Sequence, residues 1–350
     1  MTTERGTAPT PPTAAESSSP TPPTVAKVPP DRPWKARSNS VLAIDIGGSK
    51  IMAGVVGADG TVRSAVTLPL GDMLTRTPSC QDRRRELFLA VLQVARAALD
   101  HTPADAPGCV GVSVPGLADP DRGVWEYSSF SGIADFHVAE ALTHELGLPV
   151  HIENDVKACA LGEQRFGCCA GVRDYLWVTV SNGVGGCAVV DGTILRGARN
   201  HAGEIGHLTV VDDGYPCQCG SRGCTEAYAA GPAIARRYHE IAGPQAPSLD
   251  AEAIAARAGR GDVAARKVFA DTGVYLGKAI AAAVNMLNPE LVVLGGGVAQ
   301  SLDLFGPELR RTFDAQVFRQ ANPQVTIRAT ALGYQASLIG AAAVGLRGQG

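Results

Sequence analysis

Residues 41–60, VLAIDIGGSKIMAGVVGADG, decide the fold, because two apolar runs flank a glycine turn and the Asp59-Gly60 turn follows them. Apolar runs joined by a short glycine turn predict a β-hairpin. Residues 176–195, LWVTVSNGVGGCAVVDGTIL, repeat this design, with a glycine turn at 183–186 and a second turn at Asp191-Gly192. Two such units far apart in the chain predict a duplicated architecture that faces one cleft.

The rest of the chain mixes strand patterns with helix patterns, which predicts the α/β class. Helical patterns lie near residues 82–101, 135–147, 225–240, 250–258, 262–287, 300–316 and 333–346. Strand patterns lie in residues 109–120, 149–153, 291–297 and 324–330.

The composition excludes several classes of function. The chain has 350 residues, and 31 Lys and Arg against 34 Asp and Glu give a net charge of -3. Such a chain has no global basic field, so nucleic acid is not an expected partner. No apolar run approaches the roughly 20 residues of a membrane-spanning helix, and no signal-peptide core is present. We therefore expect a cytoplasmic protein without a membrane partner, whose nine cysteines are thiols or metal ligands.

Residues 1–38 are a mixture of Thr, Pro, Ser and Ala without an apolar period. A segment of this composition cannot bury enough apolar surface to fold, which predicts a disordered tail. The tail is either a dispensable leader or an interaction arm. It contains no helix-turn-helix pattern of a DNA-binding domain.

Three glycine loops are candidates for phosphate binding. Their backbone N–H groups can surround an anion, although a glycine turn can also be only a tight hairpin. A Walker loop and a dinucleotide fingerprint are both disfavoured, because a strand follows the first loop where those motifs need a helix. Three loops together favour nucleotide binding. The residues are Asp45, Gly47, Gly48, Ser49 and Lys50 in the first loop, Ser181, Asn182 and Gly183 in the second, and Gly295, Gly296 and Gly297 in the third.

Asp155 follows the strand that ends in HIEN and opens a helix. One interpretation is a helix N-cap. The other is a general base, since a carboxylate at a strand end can accept the proton of a hydroxyl that attacks a phosphorus atom. Asn154 beside it could orient a sugar hydroxyl.

Glu204 and His207 occur in HAGEIGH, and Glu226 occurs in GCTEAY. Carboxylates near glycine loops suit the recognition of a neutral polyol, because each can accept hydrogen bonds from two hydroxyl groups. The alternative for any one of them is a solvated surface position.

His207, Cys217, Cys219 and Cys224 lie within eighteen residues and match the closed tetrahedral set of a structural zinc site. The alternative is a group of free buried thiols. Four protein ligands leave no position for water, so the metal would hold the loop that contains Glu226. The remaining cysteines lack ligand spacing and are interpreted as small apolar fillers. They are Cys80, Cys109, Cys159, Cys168, Cys169 and Cys187.

Five motifs resemble the ROK family (repressors, open reading frames and sugar kinases) of the actin-like ATPase and sugar kinase superfamily. In chain order they are DIGGSK, GVSVPG, END before an Ala-rich helix, GVGG with AGEIGH, and CQCGSRGCTEAY. The resemblance covers residues 41–346 and implies an α/β, two-domain actin-like ATPase (ribonuclease H-like) fold with a central cleft. It implies a small domain at 39–153 completed by a C-terminal helix at 333–348, a large domain at 154–332 with the zinc loop, and a homodimer.

The resemblance also implies an ATP-dependent sugar kinase that uses Mg²⁺. It makes Asp155 the base that deprotonates a hexose 6-hydroxyl and places ATP across the three glycine loops. His207 has two implied roles, which are compatible if one ring nitrogen binds zinc and the other faces the sugar. The implied sugar contacts are Gly116, Ser129, Asn154, Glu204, His207 and Glu226.

Two departures from the family pattern bear on the site: the first alters the contact to the transferring phosphate, and the second concerns the sugar. Ser181-Asn182-Gly183 stands where family glucokinases usually have Gly-Thr-Gly, and YSSFSGI stands where they have an Asn-Leu pair and a Trp. A shorter polar group at Ser129 should change how the 3- or 4-substituent of the sugar is held. We therefore expect an amino sugar such as kanosamine (3-amino-3-deoxyglucose), with D-glucose as the alternative. A sugar-responsive transcriptional regulator and a catalytically silent sugar-binding protein are the remaining alternatives.

Overall fold

The computed structural model describes residues 40–71, 73–77, 79–102, 106–129 and 131–347. The tail predicted at 1–38 lies outside these residues, as does position 348 of the predicted C-terminal helix. None of the helices in the described ranges has the length and apolarity needed to cross a membrane.

The described residues contain strands and helices in alternation. The strands are β1 Ser40–Ile46, β2 Lys50–Gly57, β3 Val66–Pro69, β4 Cys109–Val114, β5 Leu117–Asp119, β6 Val124–Ser128, β7 Ile133–Phe136, β8 Val150–Asn154, β9 Tyr175–Val180, β10 Val184–Val190, β11 Thr193–Ile194, β12 Leu291–Gly295 and β13 Thr326–Ala329. The helices are α1 Met73–Arg76, α2 Cys80–Asp100, α3 Val138–Leu146, α4 Asp155–Phe166, α5 Glu226–Ala229, α6 Gly231–Ala242, α7 Ala251–Gly259, α8 Val263–Leu287, α9 Leu302–Gln316 and α10 Ala336–Arg347.

Two five-stranded sheets have the same topology, as the repeated hairpin pattern predicts. The first sheet has the order β3-β2-β1-β4-β8, and the second has the order β11-β10-β9-β12-β13. In each sheet the first three strands in chain order are antiparallel neighbours, and the last two run parallel to the central strand. The α/β class and the duplication are therefore confirmed.

Strand β1 is buried on both faces, which explains its continuous apolar run. Leu42 and Ile44 point into a cluster with the apolar side of α2, while Val41 and Ala43 pack against α10. Adjacent residues of a strand point to opposite faces, so one short run serves two helix layers. Gly111 on β4 makes the contact with α10 possible, because a Cβ atom there would overlap the carbonyl oxygen of Ala341.

The second sheet has a separate core. Val178 and Val180 of β9 pack with α8 and α9, and the opposite face carries Trp177 in a cluster with residues of α4 and α10. The C-terminal helix thus contacts the first sheet and lies in the same cluster as the second sheet. The domain boundaries at 39–153 and 154–332 stay a prediction.

Local structure differs from the sequence-based expectation in three places. Residues 117–136 form a three-stranded sheet, β5-β6-β7, whose Trp125 is fully buried and donates its indole N–H to the Pro115 carbonyl at 2.8 Å. The helix predicted at 135–147 begins only at Val138. The helix predicted at 225–240 is two helices, because Pro232 has no N–H for a continuous helix and instead lies in the first turn of α6.

Candidate active site

The three glycine loops converge at the carboxyl ends of β1, β9 and β12. A Cβ atom built on Gly48 would lie 3.8 Å from Asn182 Nδ2, and one built on Gly297 would lie 3.9 Å from Ser181 Oγ. Gly296 has a φ of +92° and passes so close to Val180 that a side chain would overlap the carbonyl oxygen of Val180. Residues from three distant parts of the sequence therefore lie together at one surface, and the backbone N–H groups of such glycine loops suit an anionic ligand.

Asp45 lies near the end of β1 and is only 6% exposed. Its Oδ1 accepts a hydrogen bond from Ser113 Oγ at 2.6 Å. Burial raises the pKa of Asp45, while hydrogen bonds from Ser113 and Ser337 and the charge of Lys50 act in the opposite direction. The carboxyl group thus links the first glycine loop to β4 and to the beginning of α10.

Asp155 is the first residue of α4, directly after the end of β8. The N-cap of this helix is Asn154, whose side-chain oxygen accepts a hydrogen bond from the Lys157 backbone N–H at 3.1 Å. The N-cap interpretation of Asp155 is therefore wrong. Asn154 Nδ2 donates to Asp155 Oδ1 and to the Gly116 carbonyl oxygen, each at 2.9 Å. Asn154 thereby joins Asp155 to the predicted sugar contact Gly116.

The environment of Asp155 changes its titration. Burial of its carboxyl group and then the charge of Asp45 raise the pKa of Asp155 to about 7, against hydrogen bonding from the Val156 N–H and the charge of Lys157. A carboxylate with a pKa near the working pH can both exist in the ionised form and take up a proton effectively. These properties are those of a general base.

Glu226 contacts the second glycine loop. Its Oε2 accepts the N–H of Val184 at 3.0 Å, and its Oε1 accepts a hydrogen bond from Gln218 at 3.0 Å. A Cβ atom on Gly183 would lie 2.6 Å from Oε2. The carboxylate therefore supports the loop, and each oxygen still has capacity for a further hydroxyl group.

Glu204 is the N-cap of a short 3-10 helix, Ile205–His207, and His207 is the last residue of that helix. His207 Nε2 lies 3.9 Å from Glu204 Oε2. Ser129 is exposed and follows β6. Among the described residues, no hydrogen bond or ion pair joins Glu204 or Ser129 to Asp155. Their roles in sugar binding stay predictions.

The predicted zinc ligands cluster in space. The side-chain donor atoms of His207, Cys217, Cys219 and Cys224 all lie within 4.8 Å of one another. Cys217 Sγ is 3.7 Å from His207 Nδ1, and Cys219 Sγ is 3.7 Å from Cys224 Sγ. Zinc–sulfur bonds of about 2.3 Å in a tetrahedron separate two sulfurs by about 3.8 Å, so the donor set fits zinc. Because Nδ1 faces the thiols, Nε2 of His207 is left on the side of Glu204.

The other cysteines differ in environment. Cys109, Cys159, Cys169 and Cys187 are buried, and Cys168 is half-buried. Cys80 is exposed at the beginning of α2, so its interpretation as a core filler is wrong.

Several residues near the site were missed by the sequence analysis. Glu153 is buried and accepts hydrogen bonds from Arg196 at 2.5 and 3.4 Å. Lys157 is buried and donates to the Asn200 carbonyl oxygen at 2.7 Å. The sequence gives no local signal that these charged side chains near Asp155 are buried, because their partners, Arg196 and Asn200, lie some 40 residues away along the chain.

Lys50 was assigned to the first glycine loop, and the structure also gives it an aromatic partner. Its Nζ donates to the Tyr334 hydroxyl and lies 3.8 Å from the centre of the Tyr334 ring. Tyr334 belongs to a 3-10 helix, Gly333–Gln335, that precedes α10.

Comparison with known proteins agrees with this geometry. The model of the ROK family matches residues 41–347. A glucokinase of Halalkalibacterium halodurans is 35% identical over 66% of this chain and 74% of its own length. The structure of a ROK hexokinase from Thermus thermophilus is 31% identical, covers 89% of this chain and 99% of that chain, and has a TM-score of 0.71.

A ROK family glucokinase from Streptomyces griseus, solved in complex with glucose and AMPPNP, is 27% identical with a TM-score of 0.75 and covers 88% of this chain and 99% of that chain. These structural neighbours confirm the predicted actin-like ATPase fold. The order of the motifs, the paired sheets and the match over nearly all described residues lead to one assignment: this chain belongs to the ROK family.

Proposed function

We propose that this protein is an ATP-dependent hexose kinase that transfers the γ-phosphoryl group of ATP to the 6-hydroxyl of a glucose-type sugar. The observation that carries the proposal is the Asp155 carboxyl group, whose pKa is about 7 and which lies at the end of β8 in the sheet that also carries the first glycine loop. Relatives that are themselves glucokinases support the same reaction.

In this proposal Asp155 accepts the proton of the sugar 6-hydroxyl as that oxygen attacks the terminal phosphorus of ATP. Asn154 donates to Asp155 Oδ1 and so sets the orientation of the carboxylate. The opposite oxygen, Oδ2, then faces the hydroxyl group. The backbone N–H groups of the three glycine loops, with Asp45 and Lys50, hold the ATP phosphates.

Mg²⁺ bound with ATP supplies positive charge to the phosphates. The zinc ligands His207, Cys217, Cys219 and Cys224 hold a structural metal that orders the loop before Glu226. Gln218 lies inside this loop and donates to Glu226 at 3.0 Å, so the metal loop and the second glycine loop are coupled through one carboxylate. A homodimer in the cytoplasm stays part of the proposal.

The sugar is proposed to be an aminohexose such as kanosamine. Support comes from the short polar Ser129 and from the carboxylates Glu204 and Glu226, which suit an ammonium substituent. The second candidate is D-glucose, which the relatives that are glucokinases favour. A carboxylate accepts hydrogen bonds from hydroxyl and ammonium groups alike, so the two sugars must be separated by measurement.

The experiment is a coupled ADP-release assay with glucose, mannose, glucosamine, kanosamine, N-acetylglucosamine and N-acetylmannosamine. We expect the highest kcat/KM with kanosamine, and a preference for glucose would replace the aminohexose proposal with the glucokinase. ADP release that does not depend on any of these sugars would contradict the kinase proposal. A parallel gel-shift screen tests the regulator alternative, for which tight operator binding without sugar phosphorylation is the supporting result.

A further inference from the structure

We propose that His201 and Glu126 form a positioning pair for sugar binding, which fixes strand β6, and with it the predicted sugar contact Ser129, relative to Asp155. The inference rests on the proposed function, in which Asp155 is the base and Ser129 lies beside the sugar. His201 belongs to residues 195–204, which we call the bridging loop. Neither member of the pair contacts the sugar or ATP in this proposal.

The first observation is that the bridging loop is closed and lies against the second sheet. The Ala202 N–H donates to the Arg196 carbonyl oxygen at 3.0 Å, so the two ends of the loop meet. Gly203 has a φ of +106° and packs so closely against β10 that a Cβ atom would lie 2.3 Å from the Gly186 carbonyl oxygen. The bridging loop therefore has a fixed place on the second sheet.

The second observation is that the bridging loop also binds the first sheet beside the base. Arg196 Nη2 lies 2.5 Å from Glu153 Oε2, and Lys157 Nζ donates to the Asn200 carbonyl oxygen at 2.7 Å. Glu153 and Lys157 lie on either side of the β8–α4 turn, and both are buried. Because His201 directly follows Asn200, its backbone has a defined position relative to this turn.

The third observation is the contact that His201 makes from this position. Its Nε2 lies 3.2 Å from Glu126 Oε2, and the two side chains are 28% and 32% exposed. A partly buried polar contact is screened less by water and salt than an exposed one. Glu126 lies in the middle of β6, so the contact joins the bridging loop to the three-stranded sheet β5-β6-β7.

Polar contacts thus tie the three-stranded sheet to the side of the base at two strands. Before β5 the Gly116 carbonyl oxygen accepts from Asn154 Nδ2 at 2.9 Å, and on β6 Glu126 meets His201. One contact lets the strands rotate about it, whereas contacts on neighbouring strands fix the direction of β6. Ser129 lies three residues beyond Glu126, which is about 10 Å along an extended chain. Loss of the pair should therefore displace Ser129 more than the base.

The test is the kinetics of ADP release with the sugar that gives the highest kcat/KM. The KM for the sugar is measured at saturating ATP, and the KM for ATP at saturating sugar. We expect Glu126→Ala and His201→Ala each to raise the KM for the sugar about fivefold, because binding depends on the position of the contacting groups. The KM for ATP should stay within about twofold of the wild type, since the pair contacts none of the glycine loops.

The double variant separates one shared contact from two independent effects. Glu126→Ala with His201→Ala should have the same KM for the sugar as either single variant, because the second substitution removes nothing further. Glu126→Gln keeps an oxygen at the same reach and should recover at least about half of the sugar affinity that Glu126→Ala loses. Glu145→Ala is the matched control, since it removes the ion pair of Glu145 with Arg96 at 2.8 Å between α3 and α2. It should change neither KM.

An unchanged KM for the sugar would overturn the inference, as would effects of the two substitutions that simply add. An equal rise in the KM for ATP would overturn it as well, because a general loss of structure predicts that result. His201→Leu, which keeps the volume and removes the polar contact, replaces His201→Ala if the alanine variant does not fold. Failure of the proposed function looks different: the wild type then releases no ADP in response to any sugar, or Asp155→Asn keeps its activity.

Discussion

The two five-stranded sheets share strand order and strand direction but differ in the chemistry at equivalent strand ends. In the first sheet Asp45 on β1 pairs with Ser113 on β4, and in the second sheet Thr179 on β9 pairs with Gly295 on β12 at the same place. Strand β8 runs into Asn154 and Asp155, whereas the equivalent strand β13 runs into Ala329 and Thr330.

The first sheet therefore carries a buried carboxylate, Asp45, and a half-buried one, Asp155, at positions where the second carries neutral groups. Thr179 is satisfied locally, since its hydroxyl accepts the indole N–H of Trp177 at 2.8 Å. Burial of its carboxyl group and then the charge of Asp45 instead raise the pKa of Asp155. The comparison teaches that the two sheets repeat the same positions, whereas the residue types decide which of two equivalent positions carries ionisable groups.

The two sheets also differ in their insertions. The first carries the three-stranded sheet β5-β6-β7 between β4 and β8. The second carries the cysteine loop between β11 and α5, with the four donor atoms of the predicted zinc site. Each insertion meets a site residue: Gly116 before β5 accepts from Asn154, and Gln218 in the cysteine loop donates to Glu226.

The largest expected effect is a loss of turnover on substitution of Asp155, which has no acidic counterpart in the second sheet. Asp155→Asn should lower kcat by about 10²–10⁴-fold, because the amide cannot accept the proton. Sugar-dependent ADP release measures the loss. Asp303→Asn is the matched control, since Asp303 is also an acidic residue in the first turn of a helix, α9. Near-normal turnover of Asp155→Asn would remove the base assignment.

The second prediction concerns the cysteine loop, which is the insertion in the second sheet between β11 and α5. Elemental analysis of the purified protein should find about one zinc ion per chain, and Cys219→Ser should lose the metal and melt at a lower temperature, because a three-ligand set binds zinc more weakly. Cys80→Ser serves as the control, since Cys80 lies outside the cluster. A metal-free wild type with full stability would contradict the zinc proposal.

The third prediction tests why α10 can approach the first sheet. Gly111→Ala should lower the free energy of unfolding by about 1–3 kcal/mol, because the new Cβ would overlap the Ala341 carbonyl oxygen. The equivalent position on β12 of the second sheet is Val293, so that strand carries a full side chain where β4 has a glycine. Denaturant titration measures the effect. Gly259→Ala, at a position with open space around it, should leave the stability unchanged or slightly higher.

The smallest expected effect is a shift in the pH dependence of kcat/KM, which compares Asp45 in the first sheet with the equivalent Thr179 in the second sheet. On the acidic side of its pH profile, kcat/KM rises as Asp155 becomes ionised, and we call this rise the acidic limb. Asp45→Asn should move the acidic limb to lower pH by up to about one unit, because removal of the Asp45 charge lowers the pKa of Asp155 from about 7. Any fall in the plateau is measured separately. Thr179→Val should leave the limb in place. A limb that does not move in Asp45→Asn would show that the two carboxylates are not coupled.

Part of the site could be predicted from the sequence because its signals are local. The glycine turns at 47–48 and 183–186 follow apolar runs, and the predicted zinc ligands lie within eighteen residues of one another. The three-stranded sheet was missed because its strands are short, with 3, 5 and 4 residues, and lack a clear alternation. Asp155 was open to two interpretations, since the residue that opens a helix and the residue that caps it look alike in sequence.

The sequence by itself determined the α/β class and the duplicated hairpins, because both depend on periodicity over short stretches of chain. The order of its motifs indicated the family, and the spacing of His207, Cys217, Cys219 and Cys224 predicted that these residues cluster. Only the tertiary structure decided that Asn154 is the cap and that the half-buried Asp155 has a pKa raised to about 7. It alone brought Lys157 to Asn200 and Arg196 to Glu153. The physical reason is that burial and the interaction of charges depend on distance in space, which separation along the chain does not reveal.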